Sequence, residues 1–182
     1  MRLFFSSDLH LGHFNILRYC NRPFETIEEY NDTVVRNFNE RVKDDDLVFH
    51  IGDYCFRSKS GRGEGEASKA KEYQSRFKGN WIYVAGNHDR NNSLKTSIES
   101  IVIRHGGKRI KLVHKPEFAD ANYELNFVGH VHEKWQIKRL TEESIMYNVG
   151  VDSNNFRPLL IEEIFSNIAK WKRSQNEKTN AS

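Results

Sequence analysis

The stretch Arg2-Leu3-Phe4-Phe5-Ser6-Ser7-Asp8-Leu9-His10 joins a short apolar run to two side chains of the kind that bind metal ions. Its apolar residues predict a buried strand over residues 2–7 that ends at Asp8. The pattern recurs at two later places, where an apolar run again leads into a polar motif: residues 47–51 into Gly52-Asp53, and residues 81–85 into Gly86-Asn87-His88-Asp89. The first half of the chain therefore predicts three buried strands with polar groups at their ends.

Helical segments are predicted between these strands. Apolar residues at helical spacing indicate an amphipathic helix over residues 26–43, with the stripe Ile27, Tyr30, Val34, Phe38 and Val42. Residues 57–65 are rich in glycine, serine and charge, which predicts a mobile loop. A second helix over residues 67–77 is expected after this loop.

The second half of the chain predicts mainly strands. Short runs of strand-forming residues lie at 100–104, 109–113, 125–128, 135–140 and 144–149. Behind Pro158, an apolar stripe predicts a C-terminal helix: Ile161, Ile164, Phe165, Ile168 and Trp171. We expect one domain over residues 1–172 and a polar, frayed tail over residues 173–182.

This order of elements predicts a layered α/β sandwich of two sheets with helices outside. In such folds, ligands gather beyond the carboxyl ends of the strands. Five candidate ligands follow a predicted strand or lie in its last residues: Asp8, Asp53, Asn87, His114 and His130. We therefore expect independent strands to bring these side chains to one edge of the molecule.

The composition excludes several classes of protein. The chain has 182 residues, of which 37% are hydrophobic and 29% charged, and no apolar run approaches the roughly 20 residues that span a bilayer. Cys20 and Cys55 are far apart, which argues against a disulfide framework and favours a cytoplasmic location without a membrane partner. The net charge of +3 does not demand a polyanionic partner, although it permits small phosphorylated substrates or weak nucleic-acid contact. The oligomeric state stays open.

Each polar motif has a chemical interpretation and an ordinary one. The Asp53 carboxylate has two oxygens that can bridge two cations, but a single Gly-Asp is also typical of a simple turn. In Gly86-Asn87-His88-Asp89, the Asn87 amide can ligate a metal while His88 acts as a general acid. Asp89 would then hold the His88 imidazole through its other nitrogen. Alone, Asp8-Leu9-His10 or His114 is no more than a strand end with polar residues.

The whole set of motifs favours a metal centre. Gly129-His130-Val131-His132 adds two imidazoles, so the combined donors are carboxylates, one amide and several histidines, without cysteine. Mixed nitrogen and oxygen ligation suits Mn, Fe or Zn better than Ca or Mg. We expect two divalent ions about 3.5–4 Å apart, probed first as Mn²⁺, with Fe, Zn, Ni, Co and Mg as alternatives.

The motifs also resemble those of a known family. Asp-x-His, Gly-Asp, Gly-Asn-His-Asp, a later His and Gly-His-x-His, in this order, resemble the calcineurin-like metallophosphoesterase superfamily. Two fragments are similar to its small stand-alone bacterial and phage branch: Asp8-Leu9-His10-Leu11-Gly12-His13 and Asn21-Arg22-Pro23-Phe24. The resemblance implies a four-layered α/β/β/α sandwich with two mixed β-sheets flanked by helices.

The resemblance further implies roles for individual residues. The first metal would be held by Asp8, His10, Asp53 and His132, and the second by Asp53, Asn87, His114 and His130. His88 would be the non-ligand catalytic histidine with Asp89 as its partner, and a hydroxide bridging the metals would attack phosphorus in line. His13 and Arg22 are further candidates for contact with the substrate phosphate, although loop packing explains them equally well.

The expected function is hydrolysis of small phosphate esters, either phosphodiesters or phosphomonoesters, with nucleotides among the candidates. A metal-dependent nuclease acting on DNA or RNA is an alternative, since the same centre cuts nucleic acid. A non-catalytic, metal-holding scaffold is the third interpretation, and it predicts that a motif residue has been lost. All the motif residues are present in this chain.

Overall fold

The first two apolar runs pair in parallel at the centre of one sheet. In the computed structural model, which describes residues 1–58, 64–89 and 92–180, Leu3 lies opposite Leu47 and Ser6 opposite His50. The sheet order is β3-β2-β1-β9, with β9 antiparallel to β1 and the other pairs parallel. Its strands are β1 (Leu3–Ser6), β2 (Leu47–Ile51), β3 (Asn80–Val84) and β9 (Leu159–Leu160).

The second sheet has the order β4-β5-β6-β8-β7. β5, β6 and β8 are parallel, and β4 and β7 close the two edges in antiparallel pairs. Its strands are β4 (Ser100–His105), β5 (Lys108–Val113), β6 (Leu125–Val128), β7 (Ile137–Arg139) and β8 (Ile145–Asn148). The predicted fold class, an α/β sandwich with two mixed sheets and flanking helices, is confirmed.

The described residues form four α-helices: α1 (Ile16–Tyr19), α2 (Ile27–Asn39), α3 (Ala70–Gln74) and α4 (Ile161–Asn180). α2 begins after Thr26 because the Thr26 hydroxyl accepts a hydrogen bond from the Glu29 N–H at 3.1 Å. Glu28 and Glu29 add negative charge near its positive end. The predicted apolar stripe of α2 is buried, so this helix packs as its spacing indicates.

The structure differs from the predicted elements in four places. α3 is shorter than the predicted helix over residues 67–77, and α1 and β9 are not predicted at all. The expected frayed tail is wrong, because α4 continues to Asn180. The predicted mobile loop falls largely on residues 59–63, which lie outside the described residues.

The main core lies between the two sheets. Phe5 of β1 stacks on Phe49 of β2 with ring centroids 5.4 Å apart, and it meets the edge of Phe127 from β6 at 5.0 Å. Ile164 and Ile168 of α4 pack into the same cluster. The interlocked aromatic rings hold the sheets together, which brings the carboxyl ends of their parallel strands to one side. Within the described residues, no helix has the length and apolar character that a membrane span requires.

Candidate metal centre

The segments that follow the parallel strands have an unusual backbone conformation. Nine described residues other than glycine have positive φ, and five of them are candidate metal ligands: Asp8, His10, Asp53, His130 and His132. Residues other than glycine rarely adopt this backbone conformation, which costs free energy where it occurs. Its concentration at the strand ends indicates that the backbone there is shaped to aim these side chains.

The first group of ligands consists of Asp8, His10 and His132, whose candidate donor atoms all lie within 4.8 Å of one another. Asp8 and His10 follow β1, and His132 follows β6. The Asp8 carboxylate is fully buried, and both of its oxygens accept the His130 N–H, at 3.0 and 2.9 Å. A backbone hydrogen bond therefore ties the end of β1 to the end of β6.

The second group consists of Asp53, His114 and His130, again within 4.8 Å of one another. His114 Nε2 lies 3.2 Å from Asp53 Oδ2 and 3.2 Å from the Asn87 amide oxygen. Asn87 thus joins this group, as the resemblance implies. Asn87 and His130 are exposed, whereas Asp53 is buried.

Asp53 connects the two groups. Its Oδ2 lies 3.6 Å from His10 Nε2 on one side and 3.2 Å from His114 Nε2 on the other. Burial alone would raise the pKa of Asp53, but its hydrogen bond with His114 holds that pKa below the ordinary range. The carboxylate is therefore charged and sits where a bridging ligand would have to sit.

Two histidines are held through the nitrogen that does not face the ligand groups. His114 Nδ1 lies 2.8 Å from the Ile51 carbonyl oxygen, and His132 Nδ1 lies 2.8 Å from Asp152 Oδ2. In both, Nδ1–H donates to an oxygen, so Nε2 is the nitrogen that faces the centre and can ligate a metal once it has lost its proton. Asp152 is absent from the predicted site, although it follows β8 as the other ligands follow their strands.

Arg22 requires a correction. Its side chain has no exposed surface, and it forms an ion pair with Asp152 at 2.7 Å. It also donates to the backbone carbonyls of Asp8, at 2.8 Å, and Leu9, at 3.1 Å. With these donors engaged, Arg22 supports the Asp8 segment from the protein interior, and its side chain has no surface open to an incoming molecule.

The predicted pairing of Asp89 with the His88 ring also requires a correction. The Asp89 carboxylate is buried and accepts backbone N–H groups from Asp53 at 2.8 Å, Tyr54 at 2.9 Å and Gly86 at 2.7 Å. It therefore braces the Asp53 turn, as Arg22 braces the Asp8 turn. Asp89 acts on the centre through the backbone.

His88 and His13 both lie beside the first group. The ring centroids of His88 and His13 are 5.3 and 5.7 Å from that of His10. The His88 N–H donates to Asp53 Oδ1 at 2.9 Å, which fixes the position of this residue without using its ring. His13 is buried and stacks on Phe56 at 4.2 Å, and burial lowers the pKa of His13 to about 4.

Glycines allow the strand ends to approach this closely. A Cβ added to Gly86 would lie 2.2 Å from Asp53 Oδ1, and one added to Gly129 would lie 1.9 Å from Ser7 Oγ. Both distances are far shorter than van der Waals contact, so any side chain would force the ligand segments apart. These two glycines are therefore needed for the close approach of the ligand segments.

The residues present fit a bound metal. Both ring nitrogens of His10 are buried and have no hydrogen-bond partner among the described residues. Buried polar atoms are nearly always satisfied, so a cation beside His10 explains the arrangement. Burial lowers the pKa of His10 well below its ordinary value, which keeps the imidazole in the neutral form that ligates metals. The Cys20 thiol and the Glu133 carboxylate also lie near His132. The position of Cys20 in the sequence does not predict this proximity.

Comparisons with known proteins give a consistent result. The family model described as calcineurin-like phosphoesterase matches residues 1–174. An uncharacterized protein of Methanocaldococcus jannaschii is 33% identical over 178 residues, which cover 94% of this chain and 93% of that protein. A protein of unknown function from Aquifex aeolicus has a TM-score of 0.68 at 23% identity, covering 91% of this chain and 98% of that chain.

The phosphoesterase YfcE from E. coli is also similar, with a TM-score of 0.43 and 18% identity over 81% of this chain and 78% of that chain. A score at that level supports no conclusion about the site. The family assignment instead depends on the match over residues 1–174 and on the relative that is 33% identical. The chain belongs to the calcineurin-like phosphoesterase family, which supports a metal-dependent hydrolase.

Proposed function

We propose that this protein hydrolyses small phosphate esters, either phosphodiesters or phosphomonoesters, nucleotides among them, with two divalent ions. The observation that carries the proposal is the position of Asp53, whose Oδ2 is 3.6 Å from a histidine of one ligand group and 3.2 Å from a histidine of the other. A carboxylate between two sets of donors is the arrangement that a pair of ions requires.

The proposed ligands divide between two ions that share Asp53. Asp8, His10 and His132 would complete the first site, and Asn87, His114 and His130 the second. When bound, the ions would supply an activated water and neutralise charge on the phosphoryl oxygens. Mn²⁺ is the first ion to test, with Fe, Zn, Ni, Co and Mg as alternatives, because the donors mix nitrogen and oxygen.

His88 is the proposed catalytic residue. Its ring lies beside His10 and outside both described ligand groups, so it is available to donate a proton to the leaving oxygen. The hydrogen bond from the His88 backbone N–H to Asp53 Oδ1 holds the backbone of His88 close to the proposed bridging ligand. His13 is proposed to contact the substrate, since it lies beside His10 and its two ring nitrogens have no hydrogen-bond partner in the part of the chain that the structure describes.

A cytoplasmic location and a small phosphorylated substrate complete the proposal. Cys20 and Cys55 are both free thiols, as expected in a reducing compartment. The nuclease alternative needs a binding site beyond the scissile phosphate. The scaffold alternative would require binding without turnover.

The test is reconstitution after chelation. Protein treated with chelator should not hydrolyse bis(p-nitrophenyl) phosphate or p-nitrophenyl phosphate, and added Mn²⁺ should restore turnover of at least one. Full activity in excess chelator would contradict a metal-dependent reaction. Metal uptake without hydrolysis of either ester, with any of the six ions, would favour the scaffold alternative.

A further inference from the structure

A large cavity adjoins the second ligand group. It has a volume of about 960 Å³, and Asn87 and His114 form part of its wall. Pockets for whole organic ligands have volumes of roughly 300–1,000 Å³. The space beside the proposed second ion is therefore much larger than a single phosphate group needs.

Three lysines line this cavity: Lys95, Lys111 and Lys115. Lys111 reaches it because β5 alternates, with Ile110 and Leu112 pointing into the core between the sheets. Lysine is a common partner of phosphate because its ammonium group has three donors and a full positive charge. The lysines thus provide cationic groups beyond the metal centre.

Two of these lysines have a carboxylate only at the long end of the ion-pair range. Lys111 lies 4.0 Å from Asp120, and Lys115 lies 3.6 Å from Glu117. Among the described residues, Lys95 forms no ion pair. Two carboxylates belong to the lining: Asp89, which accepts backbone N–H groups, and the exposed Glu99.

The cavity also has an exposed aromatic ring. Phe118 is 59% exposed, although a phenylalanine is normally buried, and it lies directly after Lys115 and the turn that begins at Pro116. Exposed rings beside cationic side chains are the usual platforms for stacked nucleobases. A second pocket of the molecule offers a contrast, because it contains Glu28, Asp32, Glu66 and Glu72 and would repel phosphate.

We propose that this cavity makes the protein selective for nucleotide phosphodiesters that carry a further phosphate. Lys111 and Lys115, with Lys95, bind the additional phosphate while the scissile phosphate lies at the ligand groups, and Phe118 stacks on a base. The inference rests on the proposed phosphoesterase function. It names the substrate class as short phosphorylated oligonucleotides or nucleotide esters of the same charge pattern.

The test compares two substrates that share one diester. The Mn²⁺-loaded protein is assayed on the dinucleotide TpT and on pTpT, which adds a terminal phosphate. We expect kcat/KM to be about tenfold higher for pTpT, because each charged hydrogen bond to the added phosphate favours binding. TpTp tests the other end of the substrate. Equal kcat/KM for all three would overturn the inference while leaving the proposed function in place.

Variants locate the effect. Lys111→Gln and Lys115→Gln should each raise KM for the preferred substrate about fivefold and lower the ratio of its kcat/KM to that of TpT by the same factor. Lys138→Gln on β7 makes the same charge change outside the cavity lining and should alter nothing. Equal losses in the Lys138 variant would mean that net charge alone causes the effect. An unchanged KM in Phe118→Leu would overturn the assignment to nucleotides.

A binding measurement does not depend on turnover. In excess chelator, calorimetry should show thymidine 3′,5′-bisphosphate binding about fivefold more tightly than thymidine 5′-monophosphate, and the Lys111→Gln/Lys115→Gln double variant should lose this difference. Equal affinities would overturn the inference. Absence of hydrolysis of every substrate with any of the six ions would instead contradict the proposed function.

Discussion

The two ligand groups differ in how the protein surrounds them. In the first group, Asp8 is 0% and His10 2% exposed, and Asp152 and Arg22 lie behind it. In the second, Asn87 and His130 are exposed, and the cavity opens alongside. Each group thus has buried members, among them His114 in the second, but only the second has exposed ligands and opens to the cavity. The first group is therefore the buried half of the centre and the second the open half.

This difference follows from the chain elements that supply each half. The first group is reached from β1, in the middle of the first sheet, and its strained turn is held by Arg22 and by Tyr30, whose hydroxyl donates to the Leu9 carbonyl at 2.6 Å. The second group draws on segments that line the cavity. We infer that the buried half holds its ion firmly and that the open half exchanges its ion and receives substrate.

The largest effect is expected from a variant that removes the carboxylate shared by the two ligand groups. Asp53→Asn should bind at most one ion tightly and lower turnover by about a thousandfold, because the amide has no negative charge to share between two cations. Metal content after gel filtration, measured by mass spectrometry, and hydrolysis of bis(p-nitrophenyl) phosphate provide the readouts. Asp120→Asn is the matched control. Two tightly bound ions in the Asp53 variant would mean that Asp53 does not join the sites.

His88→Ala separates chemistry from metal binding. The ring lies next to the buried half but belongs to neither described ligand group, so both ions should stay bound while kcat falls on the order of a hundredfold. The loss should be greater for an alkyl leaving group than for p-nitrophenolate, which hardly needs protonation. Parallel assays of the two esters check this difference. Loss of metal in the variant would make His88 a ligand and redraw the boundary of the first group.

Sequence patterns are informative about this centre where strand and motif coincide. Strand ends can be found from apolar runs, so Asp8, Asp53 and His114 are placed correctly at one edge before any coordinates are known. The patterns do not identify residues that support the site through hydrogen bonds to the backbone. Arg22 and Asp89 look like a phosphate contact and a catalytic partner, because a sequence does not reveal that their polar atoms turn toward the backbone.

The fold likewise has elements that the sequence predicts and elements that it misses. Periodicity predicts the long elements well, including the buried face of α2, because their stability comes from one continuous apolar stripe. It misses α1 and β9, which contain four and two residues and depend on contacts distant in the sequence. Asp152 is missed for a related reason, since its partner His132 lies 20 residues away along the chain.

Asp152→Asn tests the support of the buried half. The Asp152 carboxylate orients His132 through Nδ1, and loss of such a partner typically lowers metal affinity by roughly tenfold to a hundredfold. Titration with Mn²⁺ should show weaker binding at one site only, with the second site within threefold of the wild type. Glu142→Gln, on the surface, is the control variant. Equal weakening at both sites would remove the distinction between the halves.

The smallest expected effect is in the rate at which the two ions leave. A protein loaded with two Mn²⁺ ions and mixed with excess chelator should release them in two phases, with the open site faster by about tenfold, which corresponds to a difference of about 1.4 kcal/mol in the barrier. His130→Ala should accelerate the fast phase and spare the slow one, because His130 is exposed and belongs to the second group. A single phase in the wild type, or acceleration of the slow phase alone, would show that burial of the ligands does not govern how firmly each ion is held.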